Sequence, residues 1–381
     1  MQIFVPSETE PSELRVAALP AHVEKLVSAG AVVHIESGLG ESVYLENAAY
    51  EEKGATIVDD RIGALGAADM VLRLNPPPRQ EVGAMKSGCL HIGHLDPFQN
   101  TELVVLLAKA GISAISMELI PRTTLAQKMD ALSSQANLAG YEAVIVAAER
   151  LLKIFPMMST PAGTIAPARV FVIGAGVAGL QAIATAKRLG AVVEAFDTRP
   201  VVEEQVKSLG ARFVKVDLGE TGQTKDGYAK ALTDEQLAKQ RDAMARHCAS
   251  SDVVITTAKL FGRPAPRIIS DEMLQGMKRG SVVVDLAAES GGNVEGSVLD
   301  EEVIRHGVRI IGLGTLEGRA AVDASQVYGS NLVNFVSHFW HDEQKSFHLD
   351  LEDILIQGCL VTHQGAIVHE MIRNAVEKSK T

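Results

Sequence analysis

Three glycines in the middle of the chain have the spacing of a turn that binds phosphate groups. Gly174, Gly176 and Gly179 lie in the run GAGVAG, which follows the apolar run RVFVI and precedes the helix-like run LQAIATAKRLG. Between a strand and a helix, such glycines permit a tight turn, close approach of a pyrophosphate and close helix–strand packing. The pyrophosphate would lie at the positive end of the helix dipole. The spacing therefore predicts a dinucleotide site, with Val177 among its residues.

An acidic residue follows at the distance that this kind of site requires. Asp197 comes directly after the next apolar run, AVVEAF, and lies 18 residues beyond Gly179. A carboxylate there accepts hydrogen bonds from the adenosine ribose and repels a 2′-phosphate, which favours NAD(H) over NADP(H). Arg199 complicates this preference, because a nearby arginine can hold that phosphate. Thr257 and Ala258 follow a later strand-like run and are predicted to line the rest of the crevice.

A second set of polar side chains lies in residues 120–141, IPRTTLAQKMDALSSQANLAGY. The segment follows a strand-like run, and we expect it at the mouth of an interdomain cleft. Its polar residues include Arg122, Gln127, Asp130 and Ser133. The ordinary explanation is a well-capped helix start, with Asp130 or Ser133 as the N-cap. The residue types alone leave a binding site and a helix cap equally open.

Strand-like and helix-like runs alternate almost throughout the chain. In the first half, strands are predicted at MQIFVP, AVVHIES, ATIVDD, DMVLRL, CLHIGHL and ISAISMEL. In the second half, they are predicted at ARVFVIG, AVVEAFD, ARFVKVD, SDVVITTA, SVVVDLA and GVRIIGL. Continuously apolar runs are typical of strands that a parallel sheet buries on both faces. The pattern therefore predicts an α/β protein with two doubly wound parallel-sheet (Rossmann-like) domains and an interdomain cleft.

The predicted domain boundary lies in a long helix-like stretch. Residues 133–155 have a helical pattern, and a Pro-, Gly- and Thr-rich break follows them. We expect residues 1–137 to form the first domain, completed by the tail at 323–381. Residues 138–322 are predicted to form the dinucleotide-binding domain.

Composition excludes several classes of protein. The chain has 381 residues, 46% hydrophobic and 22% charged, which argues against a disordered, collagen-like or coiled-coil protein. With a formal net charge of −11 and no basic tract, it is not expected to bind nucleic acid. Cys89, Cys248 and Cys359 are too scattered for a disulfide framework or a metal site, and they favour a reducing cytosol. The longest uncharged apolar run, residues 170–186, is short of the roughly 20 residues that span a membrane, so we expect no membrane insertion.

The chain resembles the soluble NAD(H)-binding component of proton-translocating NAD(P) transhydrogenases, a family related to alanine dehydrogenase. The resemblance covers essentially the whole chain and is carried by PRTTLAQKMDALSSQANLAGY, GVAGLQAIATAKRLGA and VVVDLAAESGGNVEGS. It implies that Arg122, Gln127 and Asp130 hold the nicotinamide end of NAD(H). Gln127 would also reach toward NADP(H) on a partner, and Ser133 would contact the carboxamide. Tyr228, in the polar stretch 219–241, would belong to a mobile loop that closes on the nucleotide.

The resemblance also implies an assembly. The chain has one glycine-rich turn between a strand and a helix, so NADP(H) is expected only on a partner subunit. That partner would include a membrane-embedded proton channel, which would hold this chain at the inner, cytoplasmic face of the membrane. The family also implies a homodimer. Leu125 and Lys128 depart from the family, where an arginine and a serine are familiar, and would alter partner contacts.

Alanine dehydrogenase offers a rival chemistry. Arg15 and His94 match its substrate-binding arginine and its catalytic histidine, but Asn75 stands where its catalytic lysine is expected. Glu289 likewise stands where an aspartate is expected. Oxidation of an amine requires a base and a group that polarises the substrate.

Hydride exchange between two nicotinamides requires fewer catalytic groups. No proton moves, so the protein need only bring the rings within about 3–3.5 Å and exclude water. We therefore predict a transhydrogenase subunit that is active only with its NADP(H)-binding partner. The alternatives are an alanine-dehydrogenase-like oxidoreductase and a catalytically silent NAD-binding regulatory protein.

Overall fold

The chain forms two compact α/β units. The computed structural model describes residues 1–217, 233–260 and 262–379. One unit comprises Met1–Gln135 with Ala320–Thr381, and the other comprises Ala136–Arg319. Each contains a sheet of mostly parallel strands with helices between them, which confirms the predicted fold class. In the part of the chain so described, no helix is long and apolar enough to cross a membrane.

The N-terminal part of the first unit alternates strands and helices. Its strands are β1 (Gln2–Val5), β2 (Val32–Glu36), β3 (Thr56–Val58), β4 (Met70–Leu72), β5 (Leu90–Gly93) and β6 (Ser113–Ser116). Its helices are α1 (Pro20–Ser28), α2 (Asn47–Glu51), α3 (Arg61–Ala67), α4 (Arg79–Val82) and α5 (Thr101–Lys109). Strands β4, β5 and β6 are buried along their whole length, as expected for inner strands of a mostly parallel sheet.

The second unit begins within a long helix. Its helices are α6 (Ala131–Arg150), α7 (Val177–Arg188), α8 (Glu203–Ser208), α9 (Asp234–Ser250) and α10 (Asp271–Gln275). Its strands are β7 (Met158–Thr160), β8 (Gly163–Ile165), β9 (Arg169–Ile173), β10 (Val192–Phe196), β11 (Arg212–Phe213), β12 (Val253–Thr256), β13 (Val282–Asp285), β14 (Glu302–Arg305) and β15 (Val308–Ile311). The main sheet has the order β11–β10–β9–β12–β13–β15–β14, with β14 antiparallel to β15. Apolar clusters cover both faces of this sheet.

The tail belongs to the first unit. It contains α11 (Ala321–His338), β16 (Trp340–His341), β17 (Ser346–Phe347), α12 (Ile354–Cys359), β18 (Leu360–His363), β19 (Ala366–Ile367) and α13 (Glu370–Lys378). Strand β18 pairs antiparallel with β6, so the sheet has the order β19–β18–β6–β5–β4–β1–β2–β3. Short 3₁₀ turns lie at Glu41–Val43, Met117–Leu119, Gln127–Met129, Pro200–Val202, Ala288–Ser290 and Leu316–Ala320.

The break after α6 contains a feature that the sequence pattern did not predict. Strands β7 and β8 form an antiparallel hairpin, with Met158 opposite Ile165. Thr160 Oγ1 donates a hydrogen bond to the carbonyl of Gly163 and closes the turn, at 3.1 Å. The strands are only three residues each and every residue in them is exposed, so they show no apolar periodicity, and turn-forming residues dominate the segment.

Candidate functional site

The glycine-rich turn connects β9 to α7 in the second unit. Gly174 has φ of +98°, a conformation that residues with a side chain rarely adopt. A Cβ at Gly179 would collide with the carbonyl oxygen of Gly174, so helix and strand can pack this closely only with glycine here. Gly176 is the N-cap of α7, and among the described residues beyond its chain neighbours the nearest atom to its Cβ position is Arg199 Nη2, at 4.0 Å. The turn thus leaves open space at the start of α7, beside Val177, where backbone amides and the helix dipole attract an anion.

The predicted residues at the end of β12 are fixed against this turn. The Thr257 hydroxyl donates to the carbonyl of Gly174 at 3.0 Å. The Ala258 amide donates to Asn293 Oδ1 at 3.0 Å, and Asn293 Nδ2 donates back to the Ala258 carbonyl at 2.9 Å. The structure therefore brings Thr257 and Ala258 to the same edge of the sheet as the glycines.

Asn293 and Asp285 are site-forming residues that the sequence reasoning missed. Asp285, the last residue of β13, is fully buried, and its Oδ1 accepts from the amides of Ala287 and Asn293 at 3.0 and 3.2 Å. Thr256 Oγ1 also donates to this oxygen, at 3.2 Å. The carboxylate thus folds the loop after β13 back toward β12. The sequence feature that could have identified Asp285 is an aspartate at the end of a strand, as in SVVVD.

Asp197 stands directly after β10, next to the glycine-rich turn. Its Oδ2 accepts a hydrogen bond from the amide of Ala175 at 2.8 Å. The Arg199 side chain also binds the carboxylate, with Nε 2.9 Å from Oδ1 and Nη2 2.7 Å from Oδ2. The predicted dinucleotide residues of the second unit are therefore brought together, except Tyr228, which lies outside the described residues.

Two buried residues and two hydrogen bonds to one backbone carbonyl hold the polar loop of the first unit in place. Ala126 and Met129 are buried, whereas Gln127 and Lys128 between them are exposed. The Lys128 carbonyl accepts hydrogen bonds from the side-chain amides of two α11 residues, Asn331 and Asn334, both at 3.0 Å. This arrangement holds the backbone next to Gln127 and leaves the Gln127 side chain exposed. Arg122, earlier in the loop, is also exposed.

Asp130 and Ser133 are paired with each other. Asp130 Oδ1 accepts from the Ser133 amide at 2.9 Å, and Asp130 Oδ2 accepts from the Ser133 hydroxyl at 2.6 Å. Asp130 precedes the first residue of α6, so it has the N-cap geometry that was the ordinary explanation for this residue. The cap fixes both side chains at the start of the helix.

The residues that matched alanine dehydrogenase lie in a buried polar cluster of the first unit. Arg15 is 3% exposed and donates through Nε and Nη2 to the Glu13 carboxylate, at 2.8 and 2.6 Å, and through Nη1 to Gln135 Oε1 at 2.9 Å. Asn75 Nδ2 also donates to Glu13, at 3.1 Å. Burial alone would raise the pKa of Glu13, but the hydrogen bonds and charge of Arg15 outweigh it, and the net pKa is lowered. Arg15 therefore already holds a carboxylate from its own chain.

Further charged groups fill the same region. Glu8 accepts from the amides of Leu74 and Asn75 at 2.8 and 3.2 Å, and burial raises its pKa. Arg73 is fully buried, which lowers its pKa, and it pairs with Glu81. The His94 ring lies edge-on to a buried tyrosine of α11, with ring centroids 5.3 Å apart.

The three cysteines are free and buried. Within residues 1–217, 233–260 and 262–379, no group of three or more His, Cys, Asp or Glu side chains is placed to hold a metal ion. Glu289 is half-exposed, and its Oε2 lies 3.6 Å from Lys259 Nζ. These residues give no sign of metal or disulfide chemistry in the described part of the chain.

The sequence matches both domains of one protein family. Residues 4–139 match the family described as "Alanine dehydrogenase/PNT, N-terminal domain". Residues 143–370 match "Alanine dehydrogenase/PNT, C-terminal domain". The two matches together cover most of the chain.

Named relatives are similar over nearly the whole chain. An NAD(P) transhydrogenase alpha subunit of Rhodospirillum rubrum is 45% identical over 376 residues, 97% of this chain and 98% of that protein. The crystal structure of transhydrogenase from Sinorhizobium meliloti matches with a TM-score of 0.85 and 42% identity, over 97% of this chain and 100% of that one. An L-alanine dehydrogenase structure matches with a TM-score of 0.81 over 99% of each chain, but at 23% identity this shows a shared fold alone.

Proposed function

The chain belongs to the alanine dehydrogenase/PNT family, and from this premise we propose that it is the NAD(H)-binding subunit of an NAD(P) transhydrogenase. It binds NAD(H) and exchanges hydride directly with NADP(H) held on a partner subunit. The partner couples this exchange to proton translocation. The names of the relatives that match nearly the whole chain support this proposal over a stand-alone dehydrogenase.

The observation that carries the choice of chemistry is Asn75. At the position where an alanine dehydrogenase is expected to carry a catalytic lysine, this chain has a carboxamide that donates to Glu13. A carboxamide neither takes up nor releases a proton near neutral pH, so it cannot replace the lysine in acid–base catalysis. Hydride exchange between two nicotinamides needs no such group, only position and exclusion of water.

The geometry of the glycine-rich turn supports a dinucleotide site in the second unit. The open space at Gly176 and the start of α7 suit a pyrophosphate, while Asp197 stands where the adenosine ribose is read. When bound, NAD(H) supplies the hydride that is exchanged. The proposed cofactor-binding residues are Gly174, Gly176, Val177, Gly179, Asp197, Tyr228, Thr257 and Ala258.

The loop of the first unit is assigned the nicotinamide end. Arg122, Gln127, Asp130 and Ser133 are proposed to orient the ring, and Gln127 also to face the NADP(H) of the partner. Exposure of the Gln127 side chain on an anchored backbone suits this role. We propose that the two units are domains with boundaries at 1–137 with 323–381 and at 138–322.

The proposed assembly follows from the same family. NADP(H)-binding and membrane-embedded components would hold the chain at the cytoplasmic face of the membrane, and two copies of this chain would form a homodimer. The β7–β8 hairpin supports the dimer, since Met157, Met158 and Ile165 are exposed around it. Leu152 nearby is 97% exposed and lines an open, largely apolar groove of about 940 Å³. Exposed apolar surface of this kind is what a protein interface requires.

A reconstitution assay tests the proposal. NADH oxidation is followed with NADP⁺ as acceptor, with the chain alone and with the NADP(H)-binding component of a close relative. Transfer is expected only in the mixture, to fall at least tenfold in Gln127→Ala, and to be unchanged in Gln99→Ala, an exposed glutamine of the same unit. NADH oxidation by the chain alone in the presence of pyruvate and ammonia, with alanine as the product, would instead support the dehydrogenase alternative.

A further inference from the structure

The carboxylate of Asp197 is fully engaged by donors of the protein itself. Its Oδ1 accepts from the backbone amide and the Nε of Arg199, at 2.8 and 2.9 Å. Its Oδ2 accepts from the Ala175 amide and from Arg199 Nη2, at 2.8 and 2.7 Å. An ionised carboxylate offers about four acceptor positions. The structure therefore has protein donors at the positions that a ribose hydroxyl needs.

The Arg199 guanidinium also lies beside the glycine-rich turn. Its Nη2 is 4.0 Å from the position that a Cβ of Gly176 would take. Arg199 is 15% exposed and Asp197 is 6% exposed, so solvent screens their pairing only partly. The Arg199 guanidinium is charged at neutral pH, and the hydrogen bonds to Asp197 raise its pKa further. At the point where the ribose is read, the protein thus presents a paired carboxylate and guanidinium instead of a bare carboxylate.

This pairing changes the competition between the two dinucleotides. A 2′-hydroxyl can donate to Asp197 only if it displaces a guanidinium N–H, and charge-assisted bidentate pairs resist such displacement. A 2′-phosphate, by contrast, meets a carboxylate whose charge is balanced and finds a guanidinium that can bind it. The pair therefore weakens the binding of NADH and reduces the rejection of NADPH, relative to a bare aspartate.

We propose that Arg199 sets the dinucleotide selectivity of the second unit, by competing with the adenosine ribose for Asp197 and by offering a cation to a 2′-phosphate. The inference rests on the proposed function, because it takes NAD(H) binding at this turn as given. Arg199 acts at the adenosine end, so its effect is separable from hydride transfer at the nicotinamide end.

The test is a titration of the purified chain with NADH and with NADPH, followed by nicotinamide fluorescence. Arg199→Ala is expected to bind NADH about three- to tenfold tighter and NADPH about tenfold weaker, because a freed carboxylate favours a hydroxyl and repels a phosphate. Arg188→Ala is the matched control: this arginine is at the far end of α7, about 18 Å from Gly176 by helix rise. Its two dissociation constants should equal those of the wild type.

Two further variants locate the effect. Arg199→Gln keeps a smaller polar side chain and is expected to widen the same ratio of dissociation constants, so the test survives if the alanine variant unfolds. In an Asp197→Asn background, Arg199→Ala should no longer tighten NADH, because the pair no longer exists. Displacement of bound NADH by ADP-ribose and by 2′-phospho-ADP-ribose, which carry no nicotinamide, confines the comparison to the adenosine end.

Two outcomes overturn the proposal. If Arg199→Ala and Arg199→Gln weaken NADH and NADPH by equal factors, Arg199 is a general phosphate anchor with no part in selectivity. If both dissociation constants stay at their wild-type values, Arg199 takes no part in dinucleotide binding and Asp197 alone sets the preference. A wild-type chain that binds neither dinucleotide would refute the proposed function itself, which is a different result from either of these.

Discussion

The two sheets differ most at the edge where their parallel strands end. In the second unit, the first strand of the sheet, β9, is followed by Gly174 in a left-handed conformation and then by the open turn at Gly176. In the first unit, β1 is followed by Pro6, and the corresponding edge is filled by charged groups of the chain itself, among them Glu8 and Arg73. The same kind of sheet thus ends in an open glycine-rich turn in one unit and in a self-paired ionic cluster in the other.

This difference shows that the fold alone does not create the site. The residues that follow the first strand decide whether the edge of the sheet admits a phosphate group or is closed by protein side chains. The conformation of a turn that depends on glycines should change when a substitution adds a side chain. A buried ionic cluster should be sensitive to lost partners, because each loss leaves a charge unpaired.

The largest effect is expected in the ionic cluster. Glu81→Gln leaves Arg73 buried without the carboxylate that pairs with it, and also takes a partner from Arg61. The expected loss of stability is about 3–5 kcal/mol, measured by chemical denaturation. Glu102→Gln breaks only the exposed pair with Arg79 and should cost about 0–1 kcal/mol. Equal losses in the two variants would mean that the cluster is not an integrated part of the first unit.

A substitution in the glycine-rich turn should lower the affinity of the chain for NADH. Gly179→Ala places a Cβ against the carbonyl of Gly174, so either the turn or α7 must move. NADH affinity is expected to fall about a hundredfold or more, since displaced amides no longer meet the pyrophosphate. Gly276→Ala is the control, because its Cβ would have only ordinary contacts with the preceding turn of helix. NADH binding by Gly179→Ala at wild-type affinity would remove this turn from the site.

Loss of one of the two hydrogen bonds that hold the polar loop should have a smaller effect, limited to the rate of hydride transfer. Asn334→Ala removes one of the two amides that hold the Lys128 carbonyl. Hydride transfer in the reconstituted mixture is expected to fall about threefold, while NADH affinity changes by less than about twofold, because one hydrogen bond positions Gln127 without holding the dinucleotide. Asn374→Ala, an exposed asparagine in α13, is the control. A parallel loss of affinity and rate would indicate general loosening of the unit.

The smallest effect concerns pH. The lowered pKa of Glu13 gives stability that is complete above its ordinary value of 4.5 and is lost as pH falls through the folded value. The raised pKa of Glu8 has the opposite sign: its ionisation removes stability as pH rises from 4.5 through the folded value. Glu13→Gln should therefore flatten the loss of stability on acidification below pH 4.5. Glu8→Gln should remove the loss of stability that the ionisation of Glu8 causes above pH 4.5. Both effects are measured by urea denaturation at a series of pH values.

The sequence predicted the features that depend on local pattern. Continuously apolar runs predicted the parallel strands, and the spacing of Gly174, Gly176 and Gly179 predicted the turn, because strand burial and turn conformation are set within a few residues. The exposed hairpin after α6 was missed, since its strands have no buried face to leave a periodicity.

Contacts between distant residues could not be predicted in the same way. The bonding of Asn293 to Ala258 joins residues 35 positions apart, and the Arg15–Gln135 contact joins residues 120 apart. The hydrogen bonds between Asp197 and Arg199 join residues close in sequence. They depend on side-chain direction, which residue spacing does not specify.

The most direct test of the proposed chemistry follows the hydride itself. NADH deuterated at the transferred position of C4 is mixed with NADP⁺, the purified chain and an NADP(H)-binding transhydrogenase component, without ammonia or a keto acid. We predict that the deuterium is recovered in NADPH and that none appears in water, since no proton-exchanging group takes part. Deuterium in the solvent, or no transfer in a mixture shown to form a complex, would contradict direct exchange between the two nicotinamides.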